Sequence, residues 1–159
     1  MKNITVLFAL LGTFFIGNAM SADMTIYYSP SCPHCHHARD FTKNNFIYEY
    51  PNIKVTEIDV TNPDNTPLFV DVLNKCKYTN GGVPVITIGD KCFQGFGESM
   101  ADEMRDAIAV GLSDADKSNA EAVKKEMSTD AEKYRSTHAD KTAKIIEYTA
   151  PAKADAKKK

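Results

Sequence analysis

The chain has 159 residues, 43% hydrophobic and 25% charged, with a formal net charge of −2. That is enough chain for one domain with its own core. No long basic stripe and no interleaved aromatic platform occurs, so nucleic acid is not an expected partner.

The first residues read as a signal, not as part of a fold. Lys2 supplies a positive charge, "ITVLFALLGTFFI" (Ile4 to Ile16) is apolar, and small residues follow in "GNAMSA". This is the pattern of a secretory signal peptide, cleaved after Ala19, Ser21 or Ala22. The apolar stretch is short for a membrane span. Residues 1–22 are therefore assigned to a signal peptide, and no stable membrane span is expected after its removal. An uncleaved anchor is the alternative. Export, with the bacterial periplasm as the expected destination, would place the cysteines where disulfides form and persist.

"MTIYY" (Met24 to Tyr28) is a β-rich run that stops at "SPS". A helical stretch through Ile47 follows, with Ala38, Phe41 and Phe46 as core contacts. From Ile53, "IKVTEIDV" alternates as a strand does. Leu68 to Lys77 has helical spacing through Leu68, Val72, Leu73 and Cys76. "TNGG" is a turn, and "VPVITIGDKCFQGF" is two strands joined at Gly89-Asp90. Glu98 to Val110 is helical, with Met100, Met104, Ala107 and Ile108 on one side. The order β-α-β-α-β-β-α implies an α/β fold with a mixed four-stranded sheet flanked by helices. From Ser113 the chain is rich in Ala, Lys, Glu and Asp, and apolar residues are sparse. Ser113-x-x-Asp116 and Thr129-x-x-Glu132 resemble capping boxes. Glu121/Lys125 and Asp140/Lys144 have the spacing of surface ion pairs. One or two exposed helices are expected before Pro151, then a disordered basic tail. The core elements are complete by Val110, so removing everything after Leu112 is expected to leave a folded, active domain.

"YYSPSCPHCHHARDF" holds Cys32 and Cys35, two of four cysteines, and three of four histidines. A thiol nucleophile needs its thiolate, and a helix N-terminus favours negative charge. Cys32 lies where a strand ends and a helix begins. Pro33 suits the first helical turn, where its missing N–H costs nothing. Cys35 is one turn further on, within reach of a disulfide to Cys32. His34, between them, can add positive charge or a hydrogen bond to the thiolate, which makes the disulfide more oxidising. Two rivals are weaker. Cys32-Pro33-His34-Cys35-His36 also fits the C-x-x-C-H haem attachment motif, but the flanking strands are unneeded by a small haem protein. A structural zinc site wants paired ligand clusters, and Cys76 and Cys92 lack x-x pairing. No metal is expected. His36 and His37 read as an exposed polar helix face. Cys76 and Cys92 are either two inert thiols or a structural disulfide, which an oxidising compartment favours.

"IYYSPSCPHCHHAR" resembles the glutaredoxin active-site segment: a strand, then C-P-x-C, then H-x-A-(K/R). "GVPVITIGDKCFQGFG" resembles the glutaredoxin Val-Pro strand, turn and glycine-containing loop. The resemblance covers about Met24 to Leu112, and places the chain among glutaredoxin-like members of the thioredoxin superfamily. The C-P-H-C tetrad is also similar to that of periplasmic Dsb-type disulfide oxidases. The resemblance implies that Cys32 is the nucleophile, Cys35 the resolving cysteine, and Pro84 a cis-proline packed against the disulfide. Val83 would pair its backbone with a substrate segment, and Gly95 would belong to the substrate loop. Ser29 stands near where glutaredoxins commonly carry a lysine. Gln94 and Gly97 break the glycine-rich glutathione pattern, which Gly95 and loosely Glu98 match.

The expectation is an exported thiol–disulfide oxidoreductase, acting on protein thiols or disulfides with no cofactor beyond its own redox-active disulfide. Alternatives are a glutathione-dependent reductase, and a non-catalytic binding module whose dithiol holds copper or haem. The expected divisions are residues 1–22 (signal), 23–112 (glutaredoxin-like domain), 113–150 (helical extension) and 151–159 (tail). Direction of electron flow and oligomeric state stay open.

Overall fold

The computed structural model describes residues 22–151. The segment expected to be a signal, but for Ala22, and the expected tail, but for Pro151, lie outside them. Five strands form one mixed sheet in the order β4-β3-β1-β2-β5: β1 (Met24–Tyr28), β2 (Val55–Asp59), β3 (Val85–Ile88), β4 (Lys91–Gln94) and β5 (Ile145–Glu147). β1 pairs in parallel with β2 and antiparallel with β3, and β3 turns back into β4. The α/β class holds, with five strands rather than four.

β1 shows why the sheet has two packed sides. Met24, Ile26 and Tyr28 are buried and alternate with the half-buried Thr25 and Tyr27. In a strand such alternation sends successive side chains to opposite faces. The Met24/Ile26 side belongs to the main core, which takes in Cys35, Ala38 and Phe46, then Met104 and Ile108. On the other side Tyr27 meets Phe69 of α3 (Thr66–Cys76), ring centroids 6.2 Å apart. At the end of β3, Gly89 adopts φ 55°. A two-residue hairpin needs a positive φ there, which glycine supplies without strain.

α1 (Pro33–Phe41) continues through a wide π turn at Thr42–Phe46 into a short α2 (Ile47–Glu49). Two side chains bond back to helix carbonyls along it. Thr42 Oγ1 donates to Ala38 O at 2.9 Å, and Asn45 Nδ2 donates to Phe41 O at 3.1 Å. Such bonds accompany locally loosened helical winding. α4 (Ala101–Ala109) buries Met104, Ala107 and Ile108, as its periodicity predicts.

The C-terminal part departs from expectation. α5 (Asp114–Thr137) starts at Ser113, whose Oγ accepts from Asp116 N–H at 3.1 Å, so the first cap forms. The helix is interrupted at Asp130 (φ −153°, ψ 82°), and the second half is capped by Asp130 Oδ1 on Lys133 N–H, not by Thr129. α5 packs against α2 and buries Ala120, Val123 and Met127. Neither expected i,i+4 ion pair forms among the described residues. Lys124 instead reaches Asp102 of α4 at 2.8 Å. After α5 the chain returns to the sheet, and β5 pairs in parallel with β2, Val55 opposite Ile145. Residues 113–150 are therefore not a helical appendage. Pairing with the free edge of β2 makes a strand of a segment too short to show a β pattern of its own.

Cys76 and Cys92 are joined by a disulfide with Cα atoms 5.8 Å apart. It ties the end of α3 to β4. Closing a loop of this length contributes about 3 kcal/mol.

Candidate active site

β1 ends at Tyr28, and a tight loop delivers Cys32 to the N-terminus of α1. Cys32 N–H donates to Ser29 O at 3.1 Å, and Cys32 itself has extended backbone (φ −91°, ψ 116°). It is the N-cap. Its Sγ accepts from Cys35 N–H at 3.2 Å, the place usually taken by a serine or aspartate oxygen. Pro33 opens the helix, as its fixed φ favours. A helix N-terminus is where a backbone N–H can reach an electron-rich atom, and here the Cys35 N–H reaches the sulfur.

The two cysteines differ sharply. Cys32 is half-buried, whereas Cys35, one turn inside, is 0% exposed. Burial, and then the hydrogen bond to Cys32, push the Cys35 thiol up to about 12. The Arg39 guanidinium pulls it the other way, less strongly.

Across from the dithiol lies the segment before β3. The Val83–Pro84 peptide bond is cis. Cys32 Sγ donates to Val83 O at 3.5 Å. Gly95 (φ 80°) donates its N–H to Pro84 O at 2.8 Å, which fixes the loop after β4 to the proline. The structure thus brings Cys32, Cys35, Val83 and Pro84 together, with Gly95 behind them. Cys76 and Cys92 form the separate disulfide. His34 is exposed in the first turn and makes no hydrogen bond to Cys32 among the described residues. Any influence it has on the sulfur is through space.

His36 and His37 are exposed, yet each has a partner. His36 Nε2 donates to Pro30 O at 2.6 Å and steadies the loop before Cys32. His37 stands edge-on to Phe96, with its Nε2 3.4 Å from Glu98 Oε1. Among the described residues no three His, Cys, Asp or Glu side chains are grouped to hold a metal ion.

Sequence reasoning missed a polar cluster on α1 one turn beyond Cys35. Arg39 Nε and Nη2 donate to Glu57 Oε2 at 2.8 and 2.5 Å, and its Nη2 lies 3.7 Å from Glu147 Oε2. Its guanidinium sits 4.0 Å from the Tyr28 ring centroid. Burial, and then the hydrogen bond to Glu147, push the Tyr28 hydroxyl up to about 12. Burial likewise raises the Glu147 carboxyl. The signal was present in "VTEID". Alternation puts Glu57 on the same face as Val55, toward the core, where an acid requires a partner.

No protein-family model matches the chain, and no curated protein does. Among solved structures it is similar to a glutaredoxin from Archaeoglobus fulgidus, with a TM-score of 0.42 and 22% identity, over 53% of this chain and 86% of that one. A likeness so distant assigns no activity.

Proposed function

We propose that this chain is an exported thiol–disulfide oxidoreductase that exchanges disulfides with protein cysteines through Cys32 and Cys35. The observation that supports it best is the pairing of unlike thiols: a half-buried sulfur capping a helix beside a backbone carbonyl, and a buried sulfur one turn inside. The chemistry balances without a cofactor. Cys32 thiolate attacks one sulfur of a substrate disulfide. The S–S bond breaks, and the other sulfur leaves as a thiolate that takes up a proton. Cys35 then loses its proton and attacks Cys32 Sγ. The second substrate thiolate leaves, and the Cys32–Cys35 disulfide remains. The substrate gains two electrons and two protons, and run backwards the same steps oxidise a dithiol. The backbone of Val83 is the docking edge for the substrate segment. Export rests on the leader-like residues before Ala22.

The test is substrate trapping. Cys35→Ser should accumulate covalent protein adducts on Cys32, and Cys32→Ser should accumulate none. Insulin reduction should disappear in both variants. Adducts mainly on Cys32→Ser would reverse the roles, and wild-type protein inert toward insulin and in oxidative refolding would overturn the reading.

A further inference from the structure

The loop before Val83 contains Asn80-Gly81-Gly82, and two glycines in a row do little to hold a backbone still. Something else must fix the Val83 carbonyl opposite Cys32. One side chain on β4 bonds to that loop. Gln94 Nε2 donates to Gly82 O at 3.0 Å, to Asn80 Oδ1 at 3.0 Å, and to Asn80 O at 3.3 Å. Its two hydrogens serve three oxygens, so one is shared. Asn80 Oδ1 also accepts from Gly82 N–H at 3.1 Å, which closes the loop on itself. Gln94 is in turn held by its strand, directly opposite Val85. The disulfide at Cys92, two residues earlier on β4, anchors the same strand to α3.

We propose that Gln94 is a positioning residue: its amide holds the 80–82 loop so that the Val83 backbone is ready for a docking cysteine-containing peptide. This rests on the dithiol-exchange reading above. The contact is with the peptide-docking edge and not with sulfur, so it affects substrates that extend along Val83. A small disulfide that reaches only Cys32 is indifferent to it.

The experiment compares a fluorogenic peptide disulfide with hydroxyethyl disulfide as substrates of the full chain. Gln94→Ala and Gln94→Glu both remove the donor. Each should raise KM for the peptide about tenfold, the scale of one net hydrogen bond. Neither should alter kcat or turnover of the small disulfide. Gly82→Ala tests the same contact from the other side. An added Cβ would meet Asn80 Oδ1 at 3.1 Å and Gln94 Nε2 at 3.3 Å, so the amide must shift. It should reproduce the KM rise with Gln94 intact. Gly81→Ala is the control, because a Cβ there meets Phe69 Cε1 at an ordinary 3.6 Å. It should leave KM unchanged. Wild-type turnover with unchanged peptide KM in the Gln94 and Gly82 variants overturns this proposal alone. Equal loss on both substrates also overturns it, since that is a general structural defect. A wild-type chain that turns over neither disulfide overturns the dithiol reading, and this proposal with it.

Discussion

The Tyr28 hydroxyl donates to Glu147 Oε1 at 2.7 Å, across 119 residues of sequence. Tyr28 ends the strand that leads to Cys32, and Glu147 ends the last strand of the sheet. The C-terminal segment is therefore wired to the neighbourhood of the dithiol. Tyr148 N–H extends the link by donating to Glu57 O at 2.8 Å.

Truncation after Leu112 should consequently fail to give a stable domain. It would expose the core surface under Ala120, Val123 and Met127 and strip β2 of its edge partner. A mild version is Glu147→Ala, which should cost about 1 kcal/mol, the loss of one part-exposed hydrogen bond. Urea unfolding measures both. A truncated protein that unfolds cooperatively at the full-length urea midpoint would show that α5 and β5 are dispensable.

The buried Cys35 thiol makes the reduced protein sensitive to base. Its value is raised from an ordinary one near 9.0 to about 12. Below pH 9 the thiol is neutral in both folded and unfolded chains, so its contribution to stability is intact. As pH climbs from about 9 toward 12, only the unfolded chain ionises, and stability falls. The oxidised protein has no proton on Cys35 and should lack that part of the decline. So should Cys35→Ala. Denaturant melts of reduced and oxidised protein between pH 8 and about 11 give the comparison, and parallel slopes would count against the buried-thiol account.

His34 offers a third test. It makes no hydrogen bond to Cys32 among the described residues, so any effect on the couple acts through space. Losing a stabilised thiolate makes a disulfide harder to reduce. His34→Ala should therefore make the couple more reducing, with roughly 30 mV for each 1.4 kcal/mol of lost stabilisation. Equilibration with glutathione buffers reads the potential. An unchanged potential would make His34 a bystander.

The unit from Met24 to Ile47 and the hairpin from Val85 to Gln94 are legible in the sequence because their signals are local. A β-rich run, a proline at a helix start, a helical period and a glycine turn each act within a few residues. β5 is illegible for the opposite reason. Ile145-Ile146-Glu147 becomes a strand only because β2 leaves an edge unpaired, and nothing within three residues encodes that vacancy. The Cys32/Cys35 site could be read from spacing, but which residues Arg39 and Gln94 would meet could not. Their partners, Glu57 and Gly82, lie 18 and 12 residues away. Gln94 looked like a departure from a glycine pattern, and its three acceptors are visible only in the fold.

The place of β5 also sets an order of events during synthesis. Its partner β2 leaves the ribosome some ninety residues ahead of it, as Val55 opposite Ile145 implies. Cys92, the last cysteine, also precedes Ile145 by a long stretch of chain, so all four cysteines are outside while the sheet still lacks β5. Four thiols can pair in three ways, and only the join of Cys76 to Cys92 leaves the Cys32/Cys35 pair intact. Until Glu147 arrives, the four cysteines sit on an unfinished scaffold, and wherever thiols oxidise the other pairings compete with the join of Cys76 to Cys92.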